Sequence, residues 1–298
     1  MFFTRLGSGI LLVVLALVFI ITGGPVFAAV LCLISLAAYR ELGKAVGFIS
    51  AGSEPSSRAL EYTGMILTVL YYAWICFAMV YLPRILYSVG VHRIIPVGTI
   101  MYRGLTIGII FTFVTYLFVY VFRFPNYHAK EMMMSYFSFL YGPVMLSFLY
   151  LIREGFGEGK YYIWLVFLCS WGSDTCAYAV GVLFGKHKMT PKLSPKKSVE
   201  GAVGGIVGAA LLFVLYKYLV ERYGGVRFDI NIVIVMAFGA VGAFVSMIGD
   251  LAASAIKRDY DIKDYGKLIP GHGGIMDRFD SVIITAPIIF AGLTFLLS

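Results

Sequence analysis

Carboxylates near the C-terminus have a spacing suited to binding a divalent cation. Asp277 and Asp280 are three residues apart, which on a helix places both side chains on one face. Asp250 ends a long apolar stretch, so it stands where a helix would leave a membrane. Mg²⁺ takes one or two carboxylates together with phosphate and water oxygens. For Asp277 and Asp280 the pattern therefore leaves two interpretations open, a magnesium site and a helix N-terminus, which alone stabilises acidic residues by roughly 0.3 to 1 kcal/mol.

The residues that follow Asp250 extend this polar pattern. If the helix continues, Ser254 and Lys257 stand at i+4 and i+7 and lie on the same face as Asp250. Two other nearby carboxylates, Asp259 and Asp261, have no such positional argument and are interpreted as part of a solvated loop. The expected polar face is formed by Asp250, Ser254 and Lys257.

A single carboxylate interrupts the apolar stretch 161–185. Placing an ionisable group such as Asp174 at membrane depth costs about 2.5 kcal/mol or more, so these residues usually face a cavity or a partner. On a helix, Trp171 and Tyr178 share its face. The position predicts that Asp174 is functional and faces a polar cavity.

The segment 185–201, GKHKMTPKLSPKKSVEG, holds five lysines and two prolines ahead of a glycine-rich apolar stretch. A loop that sets membrane topology accounts for Lys186 and Lys188. It does not account for the polar residues that crowd the expected helix start, since hydroxyls and backbone N–H groups there bind anions. No P-loop spacing is present. The segment therefore predicts a phosphate-binding loop for an unspecified phosphate, formed by Ser194, Lys196, Lys197, Ser198 and Glu200.

The elements that must position these residues are membrane-spanning helices. The 298-residue chain is 60% hydrophobic and 13% charged, with a mean hydropathy of +0.88. A soluble domain averages about 25% charged residues, so most of this surface faces lipid. Crossing a bilayer core takes roughly 20 apolar residues. Besides 161–185, the charge-free stretches of about that length are 62–83, 104–122, 132–152, 201–216, 230–249 and 281–298.

The first charge-free run, 6–39, is too long for one crossing. Glycine and proline end helices, so Thr22, Gly23, Gly24 and Pro25 divide it into two. A cleaved signal peptide would explain the opening residues, but the later spans favour keeping them as the first helix. The prediction is an all-α, polytopic membrane bundle of about nine transmembrane helices, divided into N-terminal helices 1–160 and a catalytic region 161–298.

The distribution of lysine and arginine predicts the orientation. Cytoplasmic loops carry the excess of basic residues, and threading nine helices from an inside N-terminus puts sixteen of the 24 on that side. The loops 185–200 and 250–280 then lie in the cytoplasm, so the polar active site is expected there. The net charge of +8 also favours contact with anionic membrane lipids.

Two classes of function are disfavoured. Basic residues are dispersed among loops without a basic arm or a nucleic-acid-binding motif, so no nucleic-acid partner is expected. The four cysteines lie inside apolar stretches without C-x-x-C spacing, which predicts small buried side chains rather than disulfides or metal ligands.

Residues 254–280, SAIKRDYDIKDYGKLIPGHGGIMDRFD, resemble the signature of the phosphatidate cytidylyltransferase family. That signature contains a Ser, a Lys-Arg pair, a Lys-Asp pair, a His-Gly-Gly and an Asp-Arg-x-Asp at fixed spacing. Two other family elements resemble SDTCAY, which holds Asp174, and SPKKSVEG. Residues 1–160 are similar only in being apolar helices. The matching positions are Ser254, Lys257, Arg258, Lys263, Asp264, Gly266, Pro270, His272, Gly273, Gly274, Asp277, Arg278 and Asp280.

The resemblance implies an integral membrane enzyme that converts CTP and phosphatidic acid into CDP-diacylglycerol and pyrophosphate with Mg²⁺, with room for a second cation. It implies that Asp250, Asp277 and Asp280 hold the metal. A bacterial inner (plasma) membrane location is expected. A homodimer is also expected from the family and from the Gly201/Gly205 and Gly204/Gly208 spacing, which equally serves contacts within one chain.

Roles for the remaining residues follow from the resemblance. Lys257, Arg258, Lys263 and Arg278 would neutralise phosphates, and Gly273 and Gly274 would let the backbone approach the nucleotide. The loop with Ser194, Lys196, Lys197 and Ser198 would bind phosphates of CTP or of the lipid. His272 would contact phosphate or orient its loop, while Asp174 and Ser254 would line the substrate site.

Three alternatives remain open at this point. A CTP-dependent lipid kinase and a cytidylyltransferase for another lipid phosphate require similar residues. A transporter would also bury Asp174 and use a helix broken at Gly23–Pro25, but it does not require a phosphate-directed lysine loop.

Overall fold

The computed structural model describes residues 13–49, 58–88, 97–228, 230–269 and 273–297. The chain forms two compact units, which are considered separately. The first contains Met1–Gly157 and Asp264–Arg278, and the second contains Glu158–Lys263 and Phe279–Ser298. The division predicted from the sequence placed residues 264–278 in the C-terminal region 161–298. In the structure this segment packs within the first unit.

The helices of the first unit are joined in part by π-helical turns. Phe77–Tyr81 connects α3 to α4, and Leu140–Val144 connects α6 to α7, so each pair forms one continuous span. The helices are α1 Val13–Thr22, α2 Gly24–Ala45, α3 Ala59–Cys76, α4 Leu82–Ser88, α5 Val97–Phe122, α6 Ala129–Phe139 and α7 Met145–Gly155.

The second unit combines helices with one short hairpin. A π-helical turn, Leu168–Gly172, joins α8 to α9. The strands β1 Lys188–Thr190 and β2 Ser194–Ser198 pair antiparallel. The helices are α8 Gly159–Phe167, α9 Ser173–Phe184, α10 Val199–Tyr223, α11 Ile232–Asp259 and α12 Met276–Leu297, the last of which starts in the first unit.

The all-α, polytopic membrane prediction is confirmed. Within the described residues, eight helices are long and apolar enough to cross a membrane, and each covers one predicted stretch. The remaining one of the nine predicted spans is the first along the chain. It corresponds to α1, a shorter apolar helix of which ten residues are described. The hairpin was not anticipated, because five lysines and two prolines in a short loop carry no strand pattern.

The predicted break at Gly23 is observed, and neighbouring polar groups stabilise it. Gly23 and Gly24 have φ of 63° and 56°, which favour glycine. Arg153 Nε donates to the Ile20 carbonyl oxygen at 2.7 Å, and Nη2 donates to that of Ile21 at 3.2 Å. The Gly24 N–H donates to Glu154 Oε1 at 2.7 Å. These bonds replace the backbone pairs that the break removes, as lipid cannot do so.

Hydroxyl groups satisfy one another in the core of the first unit. The Tyr39 hydroxyl donates to the Leu60 carbonyl oxygen at 3.0 Å and lies 2.7 Å from Ser135 Oγ and 3.2 Å from the Tyr116 hydroxyl. Gly64 makes room for the Tyr39 ring, since a Cβ there would lie 2.1 Å from it. The network ties α2, α3, α5 and α6 together and so fixes α2.

Glycines bring α9 and α10 together in the second unit. A Cβ on Gly204 would lie 2.5 Å from Val180 Cβ, and one on Gly208 would lie 2.5 Å from Cys176 Cβ. The small-residue spacing of α10 therefore serves contacts within the chain. All four cysteines are free; Cys169 is buried as predicted, whereas Cys32, Cys76 and Cys176 are only half-buried.

Candidate active site

A cavity of about 460 Å³ with polar residues in its wall lies beside the hairpin of the second unit. Its wall includes α9, β1, β2, α10 and α11. The charged residues in the wall come from sequence positions far apart, and the lining also contains Gly181, Gly201 and Gly205. The polar lining residues are Ser173, Asp174, Lys188, Lys196, Lys197, Ser198 and Asp250.

Asp174 lies in the wall of this cavity, on the first turn of α9. Its side chain is exposed, so the carboxylate reaches the cavity space. Tyr178, one turn further along α9, also lines the cavity, whereas Trp171 does not. The cost of a carboxylate within a membrane span is thus relieved by an opening that admits polar groups.

An ion pair connects the lysine loop to α11. Lys197 Nζ donates to Asp250 Oδ2, and each side chain is 25% exposed. Lys197 stands in β2 immediately before Ser198, the N-cap of α10, and Asp250 lies near the C-terminal end of α11. Lys197 and Asp250 thus place a positive and a negative charge side by side at the wall of the cavity.

Asp280 of α12 belongs to the same electrostatic group. It interacts with the charges of Asp250, Lys257 and Asp174. The helices approach closely here, since a Cβ on Gly249 would lie 3.1 Å from the Asp280 carbonyl oxygen. Oδ1 of Asp280 accepts a hydrogen bond from its neighbour's N–H at 2.8 Å. Three carboxylates and two lysines therefore share this end of the second unit.

The serines of the lysine loop have structural partners. Ser198 Oγ accepts from the Gly201 N–H at 3.1 Å and caps α10. Glu200 closes the base of the hairpin, where its carboxylate accepts from the Lys186 and His187 N–H groups and lies 2.6 Å from His187 Nδ1. Ser194 begins β2 opposite Thr190. Lys188, Lys196 and Lys197 are the charged groups that the hairpin contributes to the cavity wall.

The helix α11 continues to Asp259, as the predicted polar face requires. Ser254 and Lys257 therefore follow Asp250 on one side of it. Ser254 and Lys257 are partly buried, whereas Arg258 and Lys263 are exposed.

The segment Asp264–Arg278 is folded back on itself in the first unit. Asp277 is 8% exposed, and its Oδ2 accepts from the N–H groups of Tyr265 at 2.8 Å and Gly274 at 3.0 Å. The Ile269 N–H donates to the Gly273 carbonyl oxygen at 2.9 Å, and Gly273 has φ of +87°. Asp264 and Arg278 are exposed, and His272 lies outside the described residues.

One buried carboxylate that contacts this segment was not identified from the sequence. Glu41 of α2 accepts from the Ile275 and Met276 N–H groups. Its position between Arg40 and Lys44 at the end of an apolar stretch resembles the charge pattern that sets topology. Its partners are more than 230 positions away, so periodicity alone carries no signal for the contact.

The donor groups of the second unit suit a hard divalent cation. Asp250 and Asp280 supply carboxylate oxygens beside lysines, and Mg²⁺ needs only one or two carboxylates when phosphate and water supply the rest. Among the described residues, no group of three or more histidine, cysteine or acidic side chains is placed to hold a metal ion. The described side chains therefore offer at most the one or two carboxylates that Mg²⁺ requires from a protein.

Comparison with known proteins matches nearly the whole chain to one family and about half of it to individual relatives. The family described as the Cytidylyltransferase family matches residues 3–296. A phosphatidate cytidylyltransferase of Staphylococcus aureus (strain COL) is 32% identical over 152 residues, which cover 51% of this chain and 55% of the relative. That of Staphylococcus saprophyticus is 35% identical over 146 residues, covering 49% and 54%. The chain thus spans about half the length of the curated relatives it matches.

Proposed function

This chain belongs to the cytidylyltransferase family, and on that premise we propose that it transfers CMP from CTP to phosphatidic acid. The products are CDP-diacylglycerol and pyrophosphate. The observation that carries the proposal is the cavity in a membrane-spanning unit where Lys196 and Lys197 stand beside Asp174 and Asp250. A site of this kind suits a reaction between a lipid phosphate and a soluble nucleotide.

The main requirement of the reaction is that the negative charges of the two phosphate-bearing substrates are neutralised. An oxygen of the lipid phosphate attacks the α-phosphorus of CTP, a new P–O bond forms, and the bond to the bridging oxygen breaks to release pyrophosphate. A phosphomonoester has a second pKa of about 6, so the nucleophile is already anionic near neutral pH and needs no strong base. Two polyanions must be brought together, and positioned cations lower that barrier.

The second unit offers the groups for this task. Lys196, Lys197 and Lys257 neutralise phosphates, and Asp250 and Asp280 hold Mg²⁺, with Asp174 in the cavity wall. When bound, Mg²⁺ supplies a Lewis acid for phosphate oxygens. The exposed side chains of Arg258, Lys263 and Arg278 bind the phosphate groups of the substrate that arrives from water.

Some assignments stay predictions. A metal-ligand role for Asp277 rests on the resemblance, and so do the substrate-binding roles of Gly273, Gly274, Ser254 and His272. A second cation and a homodimer also stay predictions.

The proposal includes a location. The protein is an integral membrane protein, and its relatives are bacterial. The excess of basic residues in the loops of the cavity side favours a cytoplasmic active site and N-terminus at the bacterial inner membrane. There the lipid substrate arrives within the bilayer and CTP arrives from the cytoplasm.

Mass spectrometry of the reaction products tests the proposal. The purified protein is incubated in detergent with phosphatidic acid, CTP and Mg²⁺, and both lipid and aqueous phases are analysed. CDP-diacylglycerol and pyrophosphate in equal amounts support the proposal. A newly phosphorylated lipid together with CDP would indicate a CTP-dependent kinase, and unchanged CTP would contradict both activities.

A further inference from the structure

A buried glutamate of the first unit holds the segment Asp264–Arg278 from the opposite end of the sequence. Glu41 is 9% exposed and lies near the C-terminal end of α2. Its Oε1 accepts from the Ile275 N–H at 3.1 Å, and its Oε2 accepts from the Met276 N–H at 2.9 Å. Each carboxylate oxygen thus satisfies one backbone donor.

These two donors lie where α12 begins. The first N–H groups of a helix have no partner inside it, and a buried donor left unpaired destabilises the fold. A carboxylate at this point also meets the positive end of the helix dipole. Glu41 therefore caps the start of α12 from α2.

Two glycines of the segment leave the space that the Glu41 carboxylate occupies. A Cβ on Gly266 would lie 2.3 Å from Glu41 Oε1, and one on Gly274 would lie 2.4 Å from Oε2. Neither glycine has a positive φ, so both are required by space rather than by backbone conformation. The carboxylate occupies a slot that only residues without a side chain can form.

Asp277 completes the arrangement from within the segment. Its Oδ2 accepts hydrogen bonds from the N–H groups of Tyr265 and Gly274. The carboxylate of Glu41 accepts from the next two N–H groups, those of Ile275 and Met276. The backbone from Gly274 to Met276 is thereby held by two carboxylates. Arg278 follows directly and is exposed.

We infer that Glu41 is a positioning residue for the transfer reaction. It touches no reacting atom, and it acts by fixing the backbone that carries Gly274, Asp277 and Arg278. For its kinetic consequence the inference rests on the proposed function, whereas its structural consequence does not.

The substitution Glu41→Gln tests the inference with little change of volume. The amide has one acceptor oxygen, so one of the two backbone bonds is lost together with the charge. Hydrogen bonds to charged groups contribute about 1.5 to 3 kcal/mol, so we expect kcat to fall roughly 10-fold to 100-fold. KM for phosphatidic acid should stay within about twofold, because removing a positioning contact affects the transition state. Amide hydrogen exchange of peptides covering 273–278 should accelerate by a similar factor.

A matched control comes from a second buried glutamate of the same unit. Glu61 is 6% exposed and accepts from Arg40 Nε at 3.0 Å, without a bond to the segment. Glu61→Gln should leave kcat within about twofold and leave exchange over 273–278 unchanged, even if the melting temperature falls as much as in Glu41→Gln.

A double-mutant cycle tests whether the space left by Gly266 is needed to hold the Glu41 carboxylate. Gly266→Ala should displace the carboxylate and reproduce the loss seen in Glu41→Ala, and the double variant should lose no more than either single one. Full additivity of the two losses would overturn the inference.

Two other results would overturn it. One is a Glu41→Gln protein with wild-type kcat and unchanged exchange. The other is tighter CTP binding in that variant, which would mean that Glu41 competes with a phosphate for the helix start. If the wild-type protein makes no CDP-lipid, the proposed function fails, while the exchange comparison still decides whether Glu41 holds the segment.

Discussion

The ammonium group of Lys197 is hydrogen-bonded to the carboxylate of Asp250, 53 positions later in the sequence. The pair joins the hairpin to α11 at the wall of the cavity. The bond fixes the position of the Lys197 ammonium group beside the cavity.

Removing the charge of Lys197 should impair catalysis more than removing that of another hairpin lysine. In Lys197→Met, Asp250 loses its partner and the cavity loses a cation, so we expect kcat/KM for CTP to fall at least roughly 100-fold. Lys192 is exposed in the hairpin turn and does not line the cavity, so Lys192→Met is the matched control. Equal losses in the two variants would show that only the net charge of the loop matters.

Asp250 and Asp280 should each be required for turnover. Replacing either with Asn keeps its size but removes a carboxylate that we propose binds Mg²⁺, so activity should drop at least roughly 1,000-fold, and raising the Mg²⁺ concentration should not restore it fully. Asp259, exposed at the end of α11, provides the control Asp259→Asn, which should keep near-normal activity. Normal turnover in both Asp250→Asn and Asp280→Asn would refute the metal assignment. Circular dichroism in detergent checks that the variants remain helical.

The close contact of α9 with α10 should make Gly204 intolerant of alanine. Alanine favours helix by about 1 kcal/mol over glycine, but its Cβ would lie 2.5 Å from Val180 Cβ. Overpacking costs about 1 to 3 kcal/mol, so Gly204→Ala should lower the melting temperature in detergent. Gly104 of α5 is also inside a helix, and a Cβ there would have only an ordinary contact at 3.4 Å. Gly104→Ala should therefore preserve or raise the melting temperature, and the opposite order would contradict the packing argument.

Arg153 should stabilise the break between α1 and α2. Arg153→Met leaves the carbonyl groups of Ile20 and Ile21 without these donors, which we expect to lower the free energy of unfolding by about 1 to 3 kcal/mol. Arg222, exposed in the last turn of α10, is the control, since Arg222→Met removes the same charge without such contacts. Thermal unfolding in detergent compares the two variants. A smaller loss in Arg153→Met than in Arg222→Met would argue against this role.

The sequence predicts the spans and the break at Gly23 well, because both depend on local properties. Apolar runs of one bilayer thickness have the same physical cause wherever they occur, and glycines with a following proline end a helix at Gly23 regardless of its neighbours. The exposure of Asp174 to a cavity likewise follows from the cost of burying a charge in lipid. The continuation of α11 through Lys257 follows from the absence of helix-breaking residues after Asp250.

The pairing of charges was beyond the reach of the sequence, because it depends on which helices meet. Lys197 was predicted to bind phosphate, but its bond to Asp250 requires the hairpin to lie against α11. Asp277 was predicted to bind metal, and its bonds to the Tyr265 and Gly274 N–H groups require the loop to close. Glu41 was missed because its partners are backbone groups, which no residue type reveals. The hairpin itself was missed because its strands are short and rich in lysine.

The most direct test of the central claim follows two labels of CTP in one assay. The protein is incubated in mixed micelles with phosphatidic acid, Mg²⁺, and CTP labelled either in the cytosine ring or in the γ-phosphate. The account predicts that the ring label enters the lipid phase, that the γ-label leaves as pyrophosphate, and that both transfers stop with EDTA or in Asp280→Asn. A γ-label in the lipid with the ring label left in water would contradict cytidylyl transfer, and so would ring-labelled lipid formed at the wild-type rate by Asp280→Asn.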